Sequence, residues 1–188
     1  ALLKLISDKD RERYELAKIT IDEINIKYHD LKHALQNNQL TKDESKEIEE
    51  TLTNYKAIIS TSNRGLNVVV YESQLKCISK GIDLNVLIDG DPLSFMKPHH
   101  VYSLFSNLLD NAIEAVEDFK EIEKKRIYLN ISTKKDNIII KLTNYCDKNI
   151  VFNDGYPVTS KNDKNFHGYG IRSAEKIVNQ YDGNLSLS

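Results

Sequence analysis

Cysteine, net charge and long apolar runs are all scarce in this 188-residue sequence. The two cysteines, Cys77 and Cys146, lie too far apart for a metal-binding or redox motif, so we expect free thiols in a reducing compartment. The formal net charge of -2 gives no reason to expect nucleic acid or an anionic membrane surface as a partner. No apolar stretch approaches the roughly 18 residues of a membrane-spanning helix. The composition that remains, 40% hydrophobic and 29% charged, is that of a globular protein.

The first third of the chain carries a helical seam. Apolar residues recur at alternating intervals of three and four: Tyr14, Ala17, Ile21, Ile24, Tyr28, Leu31 and Leu35. This heptad spacing predicts a helix that packs along its length. Because the helical pattern already includes Ala1, we expect the sequence to be a fragment of a longer protein.

A second helix is predicted after a cap at Thr41 or Asp43, with Ile48, Leu52, Tyr55 and Ile59 again at heptad spacing. Residues 1–62 would then form a helical hairpin. Each helix offers one narrow apolar stripe, so we expect two chains to pair their hairpins as a dimeric four-helix bundle. The alternative is a hairpin that packs on the C-terminal domain of its own chain.

A cluster of Ser, Asn and Gly at residues 60–67 predicts a boundary, with a second domain over residues 63–188. We expect mixed helices and strands there, and therefore an α+β chain overall. The predicted elements are a helix at about 66–79, a strand at 82–88, a helix from Pro98, two strands joined by a turn at 135–137, a helix at 171–181 and the start of a strand at Leu185. Residues 145–166 are polar and rich in turn formers, which predicts a long mobile loop.

Two amides share one face of the helix that is predicted to begin at Pro98. Asn107, Asn111 and Glu114 follow one another at helical spacing, beside an apolar stripe on the same helix. Asn is a mediocre helix former, so two of them one turn apart indicate a specific task. An amide oxygen is a suitable ligand for Mg²⁺. An ordinary amphipathic helix is the alternative interpretation.

Glycines at 168 and 170 precede the last predicted helix. They permit close backbone approach, and the helix N-terminus offers unpaired N–H groups to a phosphate. The same residues could also form a plain glycine turn.

These segments resemble known motifs in a fixed order. Residues 107–115, Asn-Leu-Leu-Asp-Asn-Ala-Ile-Glu-Ala, resemble the N box of the GHKL ATPase fold. Gly168-Tyr-Gly170, preceded by Ser160-Lys161, resembles the glycine box and lid of that fold. His29-Asp30 with Lys32-His33 resembles the phosphoacceptor box of sensor histidine kinases. The ordered set is most similar to the peptide- and quorum-sensing group of these kinases, the AgrC- and VirS-like group.

The resemblance implies a GHKL-type α/β sandwich that binds ATP and Mg²⁺ between helices and a mixed sheet. Asn111 would be the Mg²⁺ ligand, and Asn107 would orient the γ-phosphate and the attacking group. Gly168 and Gly170 would bind the triphosphate, where Lys161 could reach a phosphate oxygen and His167 could help to hold it.

Adenine recognition departs from the family pattern. The usual Asp-x-Gly-x-Gly motif is replaced by Leu142-Thr-Asn-Tyr-Cys-Asp147. Asn144 is the first candidate to hold the adenine amino group, Asp147 the second and Asp154 the third. A further C-terminal strand that is usual in the family is missing from the sequence.

The function implied is that of a two-component sensor kinase core. His29 would be autophosphorylated from Mg-ATP, with Asp30 accepting a proton from the imidazole, and the phosphoryl group would pass to an aspartate of a response-regulator receiver domain. We expect a homodimer in the cytoplasm, attached to a membrane only through a sensor region that the sequence lacks. Two alternatives stay open: a phosphotransferase or scaffold with a degenerate ATP domain, and a non-kinase ATPase of the GHKL fold. Transfer within one chain or between two chains is also left open.

Overall fold

The computed structural model describes residues 2–36, 61–147, 152–153, 156–157 and 169–187. Its helices are α1 (Leu2–Gln36), α2 (Arg64–Ser79), α3 (Pro98–Val116) and α4 (Tyr169–Asn179), with a 3-10 turn at Ile122–Lys124. Its strands are β1 (Asp83–Ile88), β2 (Arg126–Lys134), β3 (Asn137–Asn144), β4 (Phe152–Asn153) and β5 (Tyr156–Pro157). This mixture confirms the predicted α+β class. The second helix of the predicted hairpin falls outside the described residues, so the hairpin and the four-helix bundle stay predictions.

A three-stranded mixed sheet forms one layer. β1 runs parallel to β2, and β3 runs antiparallel to β2. Alternate residues of β2, namely Ile127, Leu129 and Ile131, are buried beneath the helices. Side chains on the opposite face, such as Tyr128 and Ile139, are exposed. The alternation read from the sequence therefore produces a two-layer arrangement, with the helices on one face of the sheet.

Local sequence signals set the ends of the elements. Asn63 caps α2, because its side-chain oxygen accepts hydrogen bonds from the backbone N–H groups of Gly65 and Leu66. Gly81 follows α2 with a φ of 63°, a conformation that glycine adopts easily. Pro98 occupies the first turn of α3, where its missing N–H costs nothing. The helix predicted to begin at Pro98 is thereby confirmed.

The first part of α1 packs on this domain. Tyr14, Ala17 and Ile21 are buried in the same core as α2 and α3. The Tyr14 ring lies 5.5 Å from the ring of Tyr102, centroid to centroid. This part of the seam therefore packs within its own chain, as in the alternative that the sequence left open. The residues of the seam after Ile21 have no described side chains.

The segment after α4 corrects one expectation. Residues 183–187 form no strand, and the sheet of the described residues ends at β3. The Gly183 N–H turns back to the Val178 carbonyl oxygen at 3.0 Å, and Leu185 packs its side chain against the main core. The prediction of a strand at Leu185 was wrong, because an apolar-polar alternation makes a strand only where the backbone finds a pairing partner.

The stretch expected to be an irregular loop contains a small hairpin. β4 pairs with β5 in antiparallel register, with Phe152 opposite Pro157 and Asn153 opposite Tyr156.

None of the described helices combines the length and the apolarity needed to cross a membrane.

Candidate functional site

The two amides predicted from the sequence lie on α3. Asn107 is partly buried, whereas Asn111 one turn later is exposed. The Nδ2 group of Asn107 donates a hydrogen bond to the Ser103 carbonyl oxygen at 2.8 Å. This bond fixes the orientation of the amide and leaves its oxygen, Oδ1, to face away from the helix backbone.

Gly170 lies in the first turn of α4, directly against that oxygen. A Cβ atom placed on Gly170 would lie 3.3 Å from Oδ1 of Asn107, which is tighter than ordinary van der Waals contact. The absence of a side chain therefore lets the start of α4 approach the amide. The structure thus brings together one residue of each predicted nucleotide-binding motif, and it leaves a helix N-terminus, with its N–H groups, beside an amide oxygen.

A second contact fixes the other end of α4 on α3. The oxygen of Tyr181 accepts a hydrogen bond from the Lys97 N–H at 3.0 Å and lies 2.9 Å from Nδ1 of His100. Because this oxygen already accepts from Lys97, its own hydrogen can be donated to a neutral imidazole. Burial, with His99 and Lys97 nearby, lowers the pKa of His100 below its usual value, which favours that neutral form.

Asn144 ends β3 on the side that faces the helices. It follows Leu142 by two residues, and Leu142 packs beside Ala112 and Val116 of α3. The end of β3 therefore lies next to the turn of α3 that follows Asn111. The Asn144 side chain donates to the Tyr145 carbonyl oxygen at 3.0 Å, which leaves its own oxygen as an acceptor. Asp147 is exposed, and Asp154 lies outside the described residues.

The acidic residue between the two amides has a different role. Asp110 forms ion pairs with Lys76 of α2 at 2.7 Å and with Arg13 of α1 at 3.9 Å. It therefore joins three helices instead of facing the amide pair. Since these side chains are partly exposed, such ion pairs contribute at most about 1 kcal/mol each to stability.

His29 has no described side chain, so the structure does not place its imidazole either at this site or away from it. His29 belongs to α1, whose contact with α3 includes Asp10, nineteen positions earlier in the same helix. At 1.5 Å per residue, about 28 Å of helix separates His29 from that contact. Asp30 and His33 are exposed on α1. Lys161, His167 and Gly168 lie outside the described residues, so their predicted roles stay predictions.

Sequence reasoning missed the pair Asp10 and Ser103. Both are buried, and the Ser103 hydroxyl donates to the Asp10 carboxylate. A signal was present, because Asp10 precedes Tyr14 by four residues and so continues the seam of Tyr14, Ala17 and Ile21. A carboxylate at an apolar position of a heptad calls for a specific partner.

The amide oxygens and helix N–H groups at this site fit a nucleotide phosphate group with a divalent cation. Among the residues that the structure describes, no group of three or more His, Cys, Asp or Glu side chains could hold a metal ion. A cation here would depend on the amide oxygen of Asn111 together with phosphate oxygens, and Mg²⁺ accepts such a ligand set.

The comparison with known families agrees with this geometry. Residues 96–188, about half of the chain, match the family model described as GHKL domain. This match begins just before α3 and includes the amide pair, β3 and α4. No curated protein matches the chain. GHKL domains bind ATP, usually together with Mg²⁺. Residues 96–188 of this chain therefore form a GHKL ATPase-type domain.

Proposed function

We propose that this chain is the catalytic core of a sensor histidine kinase of the peptide- and quorum-sensing group. The observation that carries the proposal is the contact between Asn107 and Gly170 inside a GHKL domain. A long helix bearing the pair His29-Asp30 precedes that domain in the same chain.

ATP is the proposed phosphoryl donor. Asn107 would orient the γ-phosphate, and the N-terminal turn of α4 at Gly170 would receive phosphate oxygens through its backbone N–H groups. Asn111 would supply an amide ligand to Mg²⁺, which neutralises phosphate charge when it is bound. Asn144 would hold the adenine amino group through its side-chain oxygen. Lys161, His167 and Gly168 would complete the phosphate site from the segment before α4.

His29 is the proposed acceptor. A neutral imidazole offers a nucleophilic lone pair near pH 7, and the Asp30 carboxylate can accept a proton from the ring. The phosphoryl group would then pass to an aspartate of a response-regulator receiver domain. A homodimer formed through the N-terminal helices and a cytoplasmic location belong to the same proposal.

Incubation with γ-labelled ATP and Mg²⁺ tests the proposal. We expect label on the protein that is lost in acid and retained in base, as for a phosphoimidazole. His29→Gln should abolish the label without weakening ATP binding. His33→Gln is the matched control, four residues further along the same helix, and should still be labelled. Label that survives in His29→Gln would contradict the assignment of His29.

Two other functions are separated by the same measurements. A scaffold or phosphotransferase with a degenerate ATP domain would bind no nucleotide, although the apposition of Asn107 and Gly170 speaks against such a loss. A non-kinase GHKL ATPase would bind and hydrolyse ATP without forming an acid-labile phosphoprotein.

A further inference from the structure

Asp10 is a buried carboxylate that the proposed chemistry does not use. It lies on α1 with 7% of its surface exposed. A charged group at such a position is costly to bury unless a hydrogen bond compensates for lost water. The Ser103 hydroxyl of α3 donates that hydrogen bond, and it does so across 93 positions of the sequence.

Ser103 also contacts Asn107, whose side-chain amide is proposed to bind the nucleotide. Its carbonyl oxygen accepts hydrogen bonds from Nδ2 of Asn107 at 2.8 Å and from the Ser106 hydroxyl at 3.2 Å. The other end of the Asn107 amide faces Gly170. An uninterrupted series of contacts therefore leads from the α1 carboxylate, through one serine, to the amide oxygen at the phosphate site.

We propose that Asp10 is a positioning residue for the nucleotide site. It holds the Ser103 turn of α3 against α1, and this turn sets the orientation of the Asn107 amide. The affinity for nucleotide then depends on whether α1 is docked on α3. By linkage, bound nucleotide favours the docked state of α1 to the same extent. This inference rests on the proposed role of Asn107 in binding ATP.

A purely structural role for Asp10 predicts a different result. In that case loss of the carboxylate would lower the free energy of unfolding, but the folded protein would bind nucleotide as before. Affinity measured at a temperature where every variant is folded distinguishes the two cases. Residues along such a series of contacts typically change coupling by about two- to thirtyfold in affinity.

The experiment is calorimetric titration of the full chain with Mg-ADP, which binds without phosphoryl transfer. We expect Asp10→Ala and Ser103→Ala each to raise Kd by about two- to thirtyfold. The Kd of the double variant should be no higher than that of the weaker-binding single variant, because both substitutions remove the same contact. Asp10→Asn, which keeps an oxygen acceptor of the same size, should restore most of the affinity.

Asp22→Ala is the matched control. Asp22 is also an α1 carboxylate, and its partner is Arg64 of α2, away from the amide. We expect its Kd to equal that of the wild type. Equal weakening by Asp22→Ala and Asp10→Ala would overturn the specific role of Asp10. If Asp10→Ala does not fold, Ser103→Ala alone decides, since an unchanged Kd in that variant also overturns the proposal. A wild-type chain that binds no Mg-ADP would instead overturn the proposed function, and the inference with it.

Discussion

At the scale of single residues, the contact between α4 and α3 leaves little space. Gly170→Ala would place a methyl group 3.3 Å from Oδ1 of Asn107, so either the amide or the helix start must shift. We expect a weaker affinity for Mg-ATP with little loss of stability, because Gly170 is only half-buried. Asn111→Ala removes a proposed cation ligand instead, and should weaken Mg-ATP binding by about ten- to a hundredfold.

Titration of both variants with and without Mg²⁺ separates the two effects. The loss in Asn111→Ala should shrink when Mg²⁺ is left out, whereas the loss in Gly170→Ala should persist. Asn130→Ala, on the face of β2 away from the helices, is a control that should bind as the wild type does. Unchanged affinity in Asn111→Ala would remove this residue from the site.

A histidine pair at the start of α3 makes stability depend on pH. Burial lowers the pKa of His99 and His100 in the folded state, and the cations Arg11 and Lys97 add to this for His99, with Glu15 opposing it. As pH falls through about 6.5, the unfolded chain takes up these protons before the folded chain does. The free energy of unfolding should therefore be highest above that pH and decrease towards the lower pKa values of the folded protein.

Urea unfolding between about pH 7.5 and pH 5 measures this decrease. His100→Gln keeps a polar partner for Tyr181 and should flatten the slope. His33→Gln replaces an exposed histidine of α1 and should keep it. If the free energy of unfolding of the wild type does not change across this range, the lowered pKa values of His99 and His100 are contradicted.

At the scale of elements, the sequence predicted periodicity well and packing partners poorly. The alternation at 127–131 and the β-branched run at 138–142 identify β2 and β3, and the spacing of Asn107 and Asn111 places both amides on one helical face. These are properties of neighbouring residues. What a stripe packs against is a property of the whole fold: Tyr14, Ala17 and Ile21 fit a dimer seam and an intramolecular contact equally well. For the same reason, the partner of Asp10 could be identified only after the fold placed Ser103 beside it.

The docking of α1 can be tested at the Tyr14 position. Tyr14 is 5% exposed and packs on Tyr102, so Tyr14→Ala should lower the free energy of unfolding by about 3–5 kcal/mol, as large aromatic truncations do. Ile78→Ala is the control on α2, where the side chain is 71% exposed, and should change stability by less than about 0.5 kcal/mol.

Protein concentration distinguishes docking within one chain from pairing between chains. If Tyr14 packs on its own domain, the loss in Tyr14→Ala should be the same at every concentration, since the contact is unimolecular. A loss that changes with concentration would place Tyr14 at an interface between two chains.

At the scale of the whole molecule, α1 continues past its contact with α3 before it reaches His29, the proposed acceptor. With Asp10 at Ser103 and Asp22 at Arg64, α1 lies along the helices of the domain and continues beyond them towards His29. In-line transfer requires the reacting atoms to approach to about 3–3.5 Å, whereas about 28 Å of helix separates His29 from the Asp10 contact. For the proposed transfer, we therefore expect either that α1 leaves the domain or that the acceptor comes from a second chain.

The free face of α1 favours the second route. Leu16, Ile19 and Ile26 are more than half exposed and recur at intervals of three and seven along the helix, as the contacts of a helix bundle do. A second chain could pair on this face while α1 stays docked through Tyr14, Ala17 and Ile21. We therefore expect transfer between chains, from the nucleotide site of one to His29 of the other.

Mixing two inactive variants tests this expectation. His29→Gln keeps the nucleotide site but lacks the acceptor, and Asn111→Ala keeps the acceptor but lacks the cation ligand. At an ATP concentration far below the Kd of Asn111→Ala, each variant alone should stay unlabelled by γ-labelled ATP. After joint unfolding and refolding, label should appear on the Asn111→Ala chain, which a size tag identifies on a gel. If the wild type is labelled and the mixture is not, transfer occurs within one chain. In that case α1 must leave α3 during catalysis, and the contact between Asp10 and Ser103 must break in every cycle.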